Sequence, residues 1–165
     1  MKILLLLRHA KSSWKNPGLA DINRPLNKRG KRDAPRLGML LREQDLVPDI
    51  ILTSPAVRAR RTAQAVSEES GYENNIEIQD EFYPGDPYAF IDTLIALPDQ
   101  VNTALIVAHN PGLEAFLDVL TGESARMPTS ALAHISLPIG SWRELTDEVD
   151  GILIDFWRVK ELEYY

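Results

Sequence analysis

The feature that most constrains this chain lies at its start. Ile3 to Leu7 is an unbroken aliphatic run, and Arg8-His9 follows it with no turn residue between. A strand with one wet face alternates apolar and polar residues; an unbroken run marks a strand covered on both faces. Such a strand needs helices above and below it, and the chain supplies them. A helical region is predicted between Asn27 and Arg42, with Ala34, Leu37, Leu40 and Leu41 inward. Asn27 reads as its N-cap, and Pro35 is expected either to kink it or to sit in its first turn. Ile50 to Thr53 is a second strand. Ser54-Pro55 then reads as a cap and first helical position, opening a helix that carries Val57, Ala63 and Val66 inward and stops at Gly71.

The second half continues the alternation. Ile76 to Gln79 reads as a strand, Pro84 to Pro87 as a turn, and Tyr88 to Leu97 as a helical face. Thr103 to Ala108 is a third strong strand. Asn110-Pro111 repeats the cap-plus-proline start, with Leu113, Phe116, Leu117 and Leu120 inward and Gly122 ending that helix. Ala131 to Leu137 and Gly151 to Val159 read as two late strands. The expected fold is α/β: a single-domain three-layer sandwich over residues 1–165, its sheet mostly parallel with an antiparallel edge and helices on both faces.

Composition narrows the chemistry. The chain has no cysteine, which excludes thiol catalysis, thiolate zinc sites and disulfides. Its histidines lack short ligand spacing, so neither a metal nor a cofactor is expected. The net charge of -6 is unevenly spread: 14 Lys and Arg face 5 Asp and Glu up to Arg61, and 4 face 19 beyond it. That asymmetry implies an anion-attracting face on an acidic body. The plainer reading of Lys28, Arg29, Lys31, Arg32, Arg36 and Arg42 is a solvated helix face. No aromatic-basic stripe points to nucleic acid. No apolar run is long enough for a leader or a membrane span, so a cytoplasmic protein is expected.

Ligands of open α/β sheets bind at the carboxyl ends of the parallel strands. The first strand ends in Arg8-His9, the second runs into Arg58 one turn inside its helix, and the third ends in His109. If the three strands are neighbours, two imidazoles, two guanidiniums and two helix N-termini converge on one rim, a setting for a phosphoryl group. Arg8 and Arg58 present forked donors to phosphate oxygens. A neutral His9 has a lone pair to attack phosphorus, and flanking cations favour that neutral form. His109 is a donor to a phosphate oxygen. His134, inside a late strand, reads as structural.

These residues sit in segments that resemble the histidine phosphatases of the phosphoglycerate-mutase-like superfamily. Leu7-Arg8-His9-Ala10-Lys11-Ser12 resembles the Arg-His-Gly signature of that family. Thr53 to Ala63 is similar to its second phosphate-binding segment, Val107-Ala108-His109-Asn110 to its third, and Arg24 to Gly30 to the start of its first helix. The resemblance covers residues 1 to about 120 in order. It implies that His9 becomes a phosphohistidine intermediate, with Arg8, Arg58 and His109 completing the phosphate pocket.

Two departures refine the expectation. Ala10 stands where glycine is usual, as in the small phosphohistidine phosphatase branch, which is also short. The general acid that many members carry has a candidate in Glu81 within Asp80-Glu81-Phe82, although the surrounding pattern matches poorly; the plainer reading of Glu81 is a solvated loop carboxylate. A chain of 165 residues leaves little for a lid beyond the loops 11–23 and 80–88. Lys11, Trp14 and Arg24 are candidates to rim the opening, Trp14 equally a loop anchor. An open pocket suits a phosphoryl group on a protein surface better than a mutase, which must shield its intermediate from water. The expected activity is metal-independent phosphatase action, foremost on protein phosphohistidine. The alternatives are a phosphomonoesterase for a small phosphate ester and a non-catalytic phospho-binding module.

Overall fold

The alternation read from the sequence builds one six-stranded sheet in the computed structural model, which describes residues 1–162. In chain order the elements are β1 (Lys2–Arg8), α1 (Lys28–Glu43), β2 (Ile50–Thr53), α2 (Val57–Ser70), β3 (Ile76–Ile78), α3 (Pro87–Leu94), β4 (Thr103–Ala108), α4 (Gly112–Thr121), β5 (Leu132–Leu137) and β6 (Ile152–Trp157). The strand order is β3-β2-β4-β1-β5-β6. β3, β2, β4 and β1 are parallel, while β5 and β6 form the antiparallel edge.

The period of two along β1 distributes its leucines to two cores. Leu4 and Leu6 join Phe90, Phe116, Leu117 and Trp142 under α3 and α4. Leu5 and Leu7 join Leu37, Leu41, Ala59 and Val66 under α1 and α2. All four leucines are fully buried, so the unbroken run is what a double-covered central strand requires.

Helix boundaries follow capping chemistry in part. The Asn27 side chain accepts from the Gly30 N–H and caps α1. α1 then runs through Pro35 without ending, and its buried face of Ala34, Leu37, Leu40 and Leu41 offsets a proline that costs an isolated helix about 3 kcal/mol. Gly71 and Gly122 end α2 and α4 in the left-handed region, at φ 83° and 75°. The two serine-proline and asparagine-proline starts differ from expectation. α2 begins at Val57 and α4 at Gly112, because the side chains of Ser54 and Asn110 bond elsewhere. The basic face of α1 is solvated at Lys28, Lys31, Arg32 and Arg42, as its sequence implies, and it also carries a charge cluster: Arg29, Arg32 and Arg36 all lie within 3.6 Å of the buried Asp33 carboxylate.

Two close approaches place loops at the carboxyl rim. A Cβ at Gly30 would collide with the Lys11 carbonyl, so glycine lets the first turn of α1 seat on the loop after β1. The Asn27 N–H to Lys11 O bond at 3.0 Å fixes the same contact. A Cβ at Gly112 would collide with the Gly85 carbonyl, so the start of α4 lies against the turn that follows Tyr83.

Candidate active site

β1, β4 and β2 are adjacent and in register, Arg8 beside Ala108 and Thr53 beside Val107, so their carboxyl ends open on one rim. The pocket there has a volume of about 520 Å³. Arg8, His9, Arg58 and His109 all line it. Each is fixed by the core behind it: Leu7 and Ala108 are fully buried, and Arg58, expected one turn inside its helix, is the second residue of α2, beside the buried Ala59.

His9 is 5% exposed. Its Nδ1 lies 2.8 Å from the Ala10 carbonyl, which can only accept, so Nδ1 carries the ring hydrogen and Nε2 keeps its lone pair. The Arg58 Nε–H approaches that lone pair at 3.4 Å, a long contact that leaves it open to an electrophile. Burial, then His109, Arg58 and Arg8, push the His9 pKa down to about 3, against the opposing bond to Ala10. The imidazole is therefore neutral at physiological pH. His109 is likewise lowered, to about 4, first by burial and then by Arg58 and Arg8.

The second imidazole is oriented by a residue the sequence reading placed at a cap. Ser54 Oγ accepts from the Ala56 N–H and lies 2.7 Å from His109 Nε2. With its hydroxyl hydrogen donated to Nε2, the His109 Nδ1–H remains, buried and without a partner among the described residues. Arg8 presents the same situation. Its Nη1 donates to the Met127 carbonyl at 3.1 Å, while its Nε is buried without a partner. Unpaired buried donors of this kind are costly unless an acceptor visits them, and here both belong to residues lining one cavity.

The opposite wall comes from loops, and the sequence reading of it reaches Arg24 but not Asp21 or Tyr83. Asp21, in the short turn Asp21–Asn23, accepts from Tyr83 Oη at 2.6 Å, Arg24 Nε at 3.0 Å and Arg58 Nη2 at 3.0 Å. Its backbone carbonyl accepts from Arg58 Nη1 at 2.7 Å. The Tyr83 bond, followed by those to Arg24 and Arg58, holds the Asp21 carboxyl well below the usual carboxylate range. The tyrosine is raised by that same bond. Arg24 also donates to Ser12 Oγ at 2.7 Å and stacks 3.5 Å over the Trp14 ring. Lys11 and Trp14 join Arg24 on the rim, as the sequence suggested. Ser130, with φ 66°, donates its N–H to the carbonyls of both Arg8 and His9 and fixes the end of β1.

Glu81 stands apart. It occupies a single turn, Asp80–Phe82, in which Phe82 is driven into the core against Phe90, and this leaves Glu81 exposed. The pocket is lined from that segment by Tyr83 and Pro84 instead. His134, on β5, pairs with Asp155 at 3.0 Å and stacks on Trp157, away from the pocket. Among the described residues, no three His, Cys, Asp or Glu side chains cluster as a metal site needs, and no helix is long and apolar enough to cross a membrane.

Similarities to known proteins bear on this geometry. The family model described as "Histidine phosphatase superfamily (branch 1)" matches residues 4–83. A protein of Mycobacterium leprae is 34% identical over 152 residues, covering 84% of this chain and 91% of that one. The crystal structure of the "putative phosphohistidine phosphatase SixA" of Agrobacterium tumefaciens superposes with a TM-score of 0.80 at 32% identity, over 95% of this chain and 98% of that one. A tungstate complex of the protein histidine phosphatase SixA has the same fold, with a TM-score of 0.83 at 23% identity over 98% of this chain and 99% of that one.

Proposed function

This chain belongs to the histidine phosphatase superfamily, and from that premise we propose that it hydrolyses protein phosphohistidine through a phosphoenzyme on His9. One observation carries the reading. A neutral imidazole ringed by cations faces a pocket whose only lining carboxylate among the described residues, Asp21, is held in its ionised form by hydrogen bonds from Tyr83, Arg24 and Arg58. The pocket therefore supplies a nucleophile and charge stabilisation, but no carboxylic acid to protonate a leaving group at neutral pH.

The chemistry balances without one. His9 Nε2 attacks phosphorus as the bond from phosphorus to the substrate imidazole breaks. A phosphohistidine protonated on its other ring nitrogen leaves as neutral imidazole, whereas an ester oxygen leaves as alkoxide and needs a proton. Arg8, Arg58 and the His109 Nδ1–H follow the charge on the three equatorial oxygens. Water then attacks phospho-His9. The phosphoryl group leaves as dihydrogen phosphate with both hydrogens of that water, and His9 recovers its Nε2 lone pair. The Nδ1–H on the Ala10 carbonyl stays in place throughout, so His9 leaves as a neutral imidazole in its turn.

Similarity to the Agrobacterium protein described as a phosphohistidine phosphatase supports this choice of substrate. The test compares kcat/KM on a phosphohistidine-bearing phosphotransfer domain with that on an aryl phosphate, with His9→Ala as blank. The expected result is a strong preference for phosphohistidine, with acid-labile, alkali-stable phosphate on the wild-type chain and none on the variant. A preference for the ester makes the protein a phosphomonoesterase and requires an acid from elsewhere. Phosphate binding without turnover makes it a recognition module.

A further inference from the structure

A second cavity, of about 650 Å³, lies beside the catalytic pocket. The loop after β1 is the wall between them: Ser12 and Trp14 line the catalytic pocket, while Ser13 and Lys15 line the neighbour. The antiparallel bridge of Ser12 with Leu26 and the Ser13 N–H to Pro25 O bond hold that wall in place. The two spaces are thus adjacent by construction, one residue alternating with the next along the same short segment.

The neighbouring groove has one sign of charge. Lys15, Lys28, Arg29 and Lys31 line it together with Leu19 and Pro25, and no carboxylate does. Arg29 is paired with Asp33, but Lys15, Lys28 and Lys31 are exposed and make no ion pair among the described residues. Two of these lysines sit in the first turn of α1, which has no acidic residue, where like charge opposes the helix dipole. Helix stability does not explain that placement. The chain beyond Arg61, with 19 acidic against 4 basic residues, repels anions, whereas this groove attracts them.

We propose that this groove is the docking surface for an acidic segment of the phosphohistidine-bearing protein, its apolar side chains on Leu19 and Pro25 and its carboxylates on Lys15, Lys28 and Lys31. The inference rests on the phosphohistidine reading, which supplies the occupant. A protein whose phosphorylated histidine enters the catalytic pocket must lay its neighbouring surface across the wall at Ser12 to Lys15. A nucleic acid fits less well: among the described residues no aromatic side chain lines the groove, so it offers bases no stacking platform.

The test is the triple variant Lys15→Glu, Lys28→Glu, Lys31→Glu, assayed on an acidic phosphohistidine-bearing photransfer domain and on phosphoimidazole. None of the three lysines lines the catalytic pocket, so phosphoimidazole turnover stays within twofold and also reports that the variant is folded. The expected result on the protein substrate is at least a tenfold fall in kcat/KM, carried by KM, with a flattened dependence on ionic strength. Should the reversed charges prevent folding, the triple Lys→Gln variant takes the same assay with a smaller expected loss. Equal activity of variant and wild type on the phosphoprotein overturns the docking site alone. A wild type that hydrolyses aryl esters and ignores phosphohistidine overturns the functional reading, and the docking site with it. Inhibition by single-stranded RNA that the triple variant abolishes, with protein turnover unchanged, assigns the groove to a polyanion instead.

Discussion

The two sides of the catalytic pocket are made by different means. On the strand side, Arg8, His9 and His109 are carried at the ends of β1 and β4, whose leucines, valine and alanines have no exposure to water. On the loop side, Asp21, Arg24 and Tyr83 come from irregular segments, and Asp21 is half exposed. The strand side holds its groups by packing and shifts their protonation by burial. The loop side holds its groups by charge-assisted hydrogen bonds to one another. Arg58 joins them, its Nε toward His9 and both Nη atoms on Asp21. In the proposed reaction the chemistry falls to the rigid half, and the adjustable half aims the guanidinium that both share.

The comparison breaks first at Arg58. Arg58→Ala removes a forked donor from the transition state and a side chain that bonds both walls, so kcat is expected to fall on the order of 10²- to 10³-fold. Arg58→Lys keeps the charge but not the fork and recovers only part of that loss. Steady-state turnover of phosphoimidazole reads both. A variant at near wild-type rate places the phosphoryl group on Arg8 and His109 alone.

Acid sharpens the comparison by acting on the strand side first. His9 and His109 are lowered to about 3 and 4 in the folded chain, against an ordinary value near 6.5. Between those values the unfolded chain binds protons that the folded chain refuses, so stability falls as pH drops from about 6.5 and is retained above it. Each imidazole contributes about 1.4 kcal/mol per pH unit within that window. Urea unfolding at pH 7 and pH 5 checks the slope, and the double variant His9→Gln, His109→Gln is expected to flatten it. The Asp21 pKa is lowered too, but from a carboxylate's lower starting value and by bonds that form only on folding and favour its charged form. Its contribution is present above its unfolded value and is lost only in stronger acid, so the loop side does not respond over the same range.

The difference between the sides also explains what the sequence disclosed. Aliphatic runs announce β1 and β4, and a cation or imidazole closing such a run is visible in one dimension, so Arg8, His9 and His109 were legible. Arg58 was legible because it lies a fixed distance beyond β2. Asp21 and Tyr83 are 62 positions apart on polar loops with no periodicity, and their 2.6 Å contact exists only once the sheet is assembled. Ser54 and Asn110 show a subtler failure. Both have the composition of helix caps, yet Ser54 bonds His109 and Asn110 bonds Glu114 and the Met127 carbonyl. A short polar side chain at a strand-to-helix turn serves a cap or a site equally well, and sequence does not distinguish them.

Asp21 offers a finer break. Its carboxylate repels an incoming dianion and at the same time orients the Arg58 that binds it. Asp21→Asn removes the repulsion and loosens the aim, so kcat is expected to fall about tenfold while inorganic phosphate binds no more weakly. That split between turnover and affinity separates positioning from a general loss of structure, which would weaken both. A rise in kcat would make Asp21 a brake on Arg58.

The smallest effect belongs to the residue whose type alone suggested a role. Glu81 lies exposed beyond the wall made by Tyr83 and Pro84, turned outward because Phe82 anchors the same turn in the core. If imidazole leaves without an acid, Glu81→Gln changes kcat/KM on phosphohistidine by less than twofold. On an aryl or alkyl phosphate the same variant tests whether the 80–88 loop can bring a proton donor over the pocket. A loss confined to esters, growing as the leaving group becomes more basic, would give Glu81 that task and show that the loop side supplies chemistry as well as aim. Equal rates on every substrate would leave the division between the two walls as the geometry draws it.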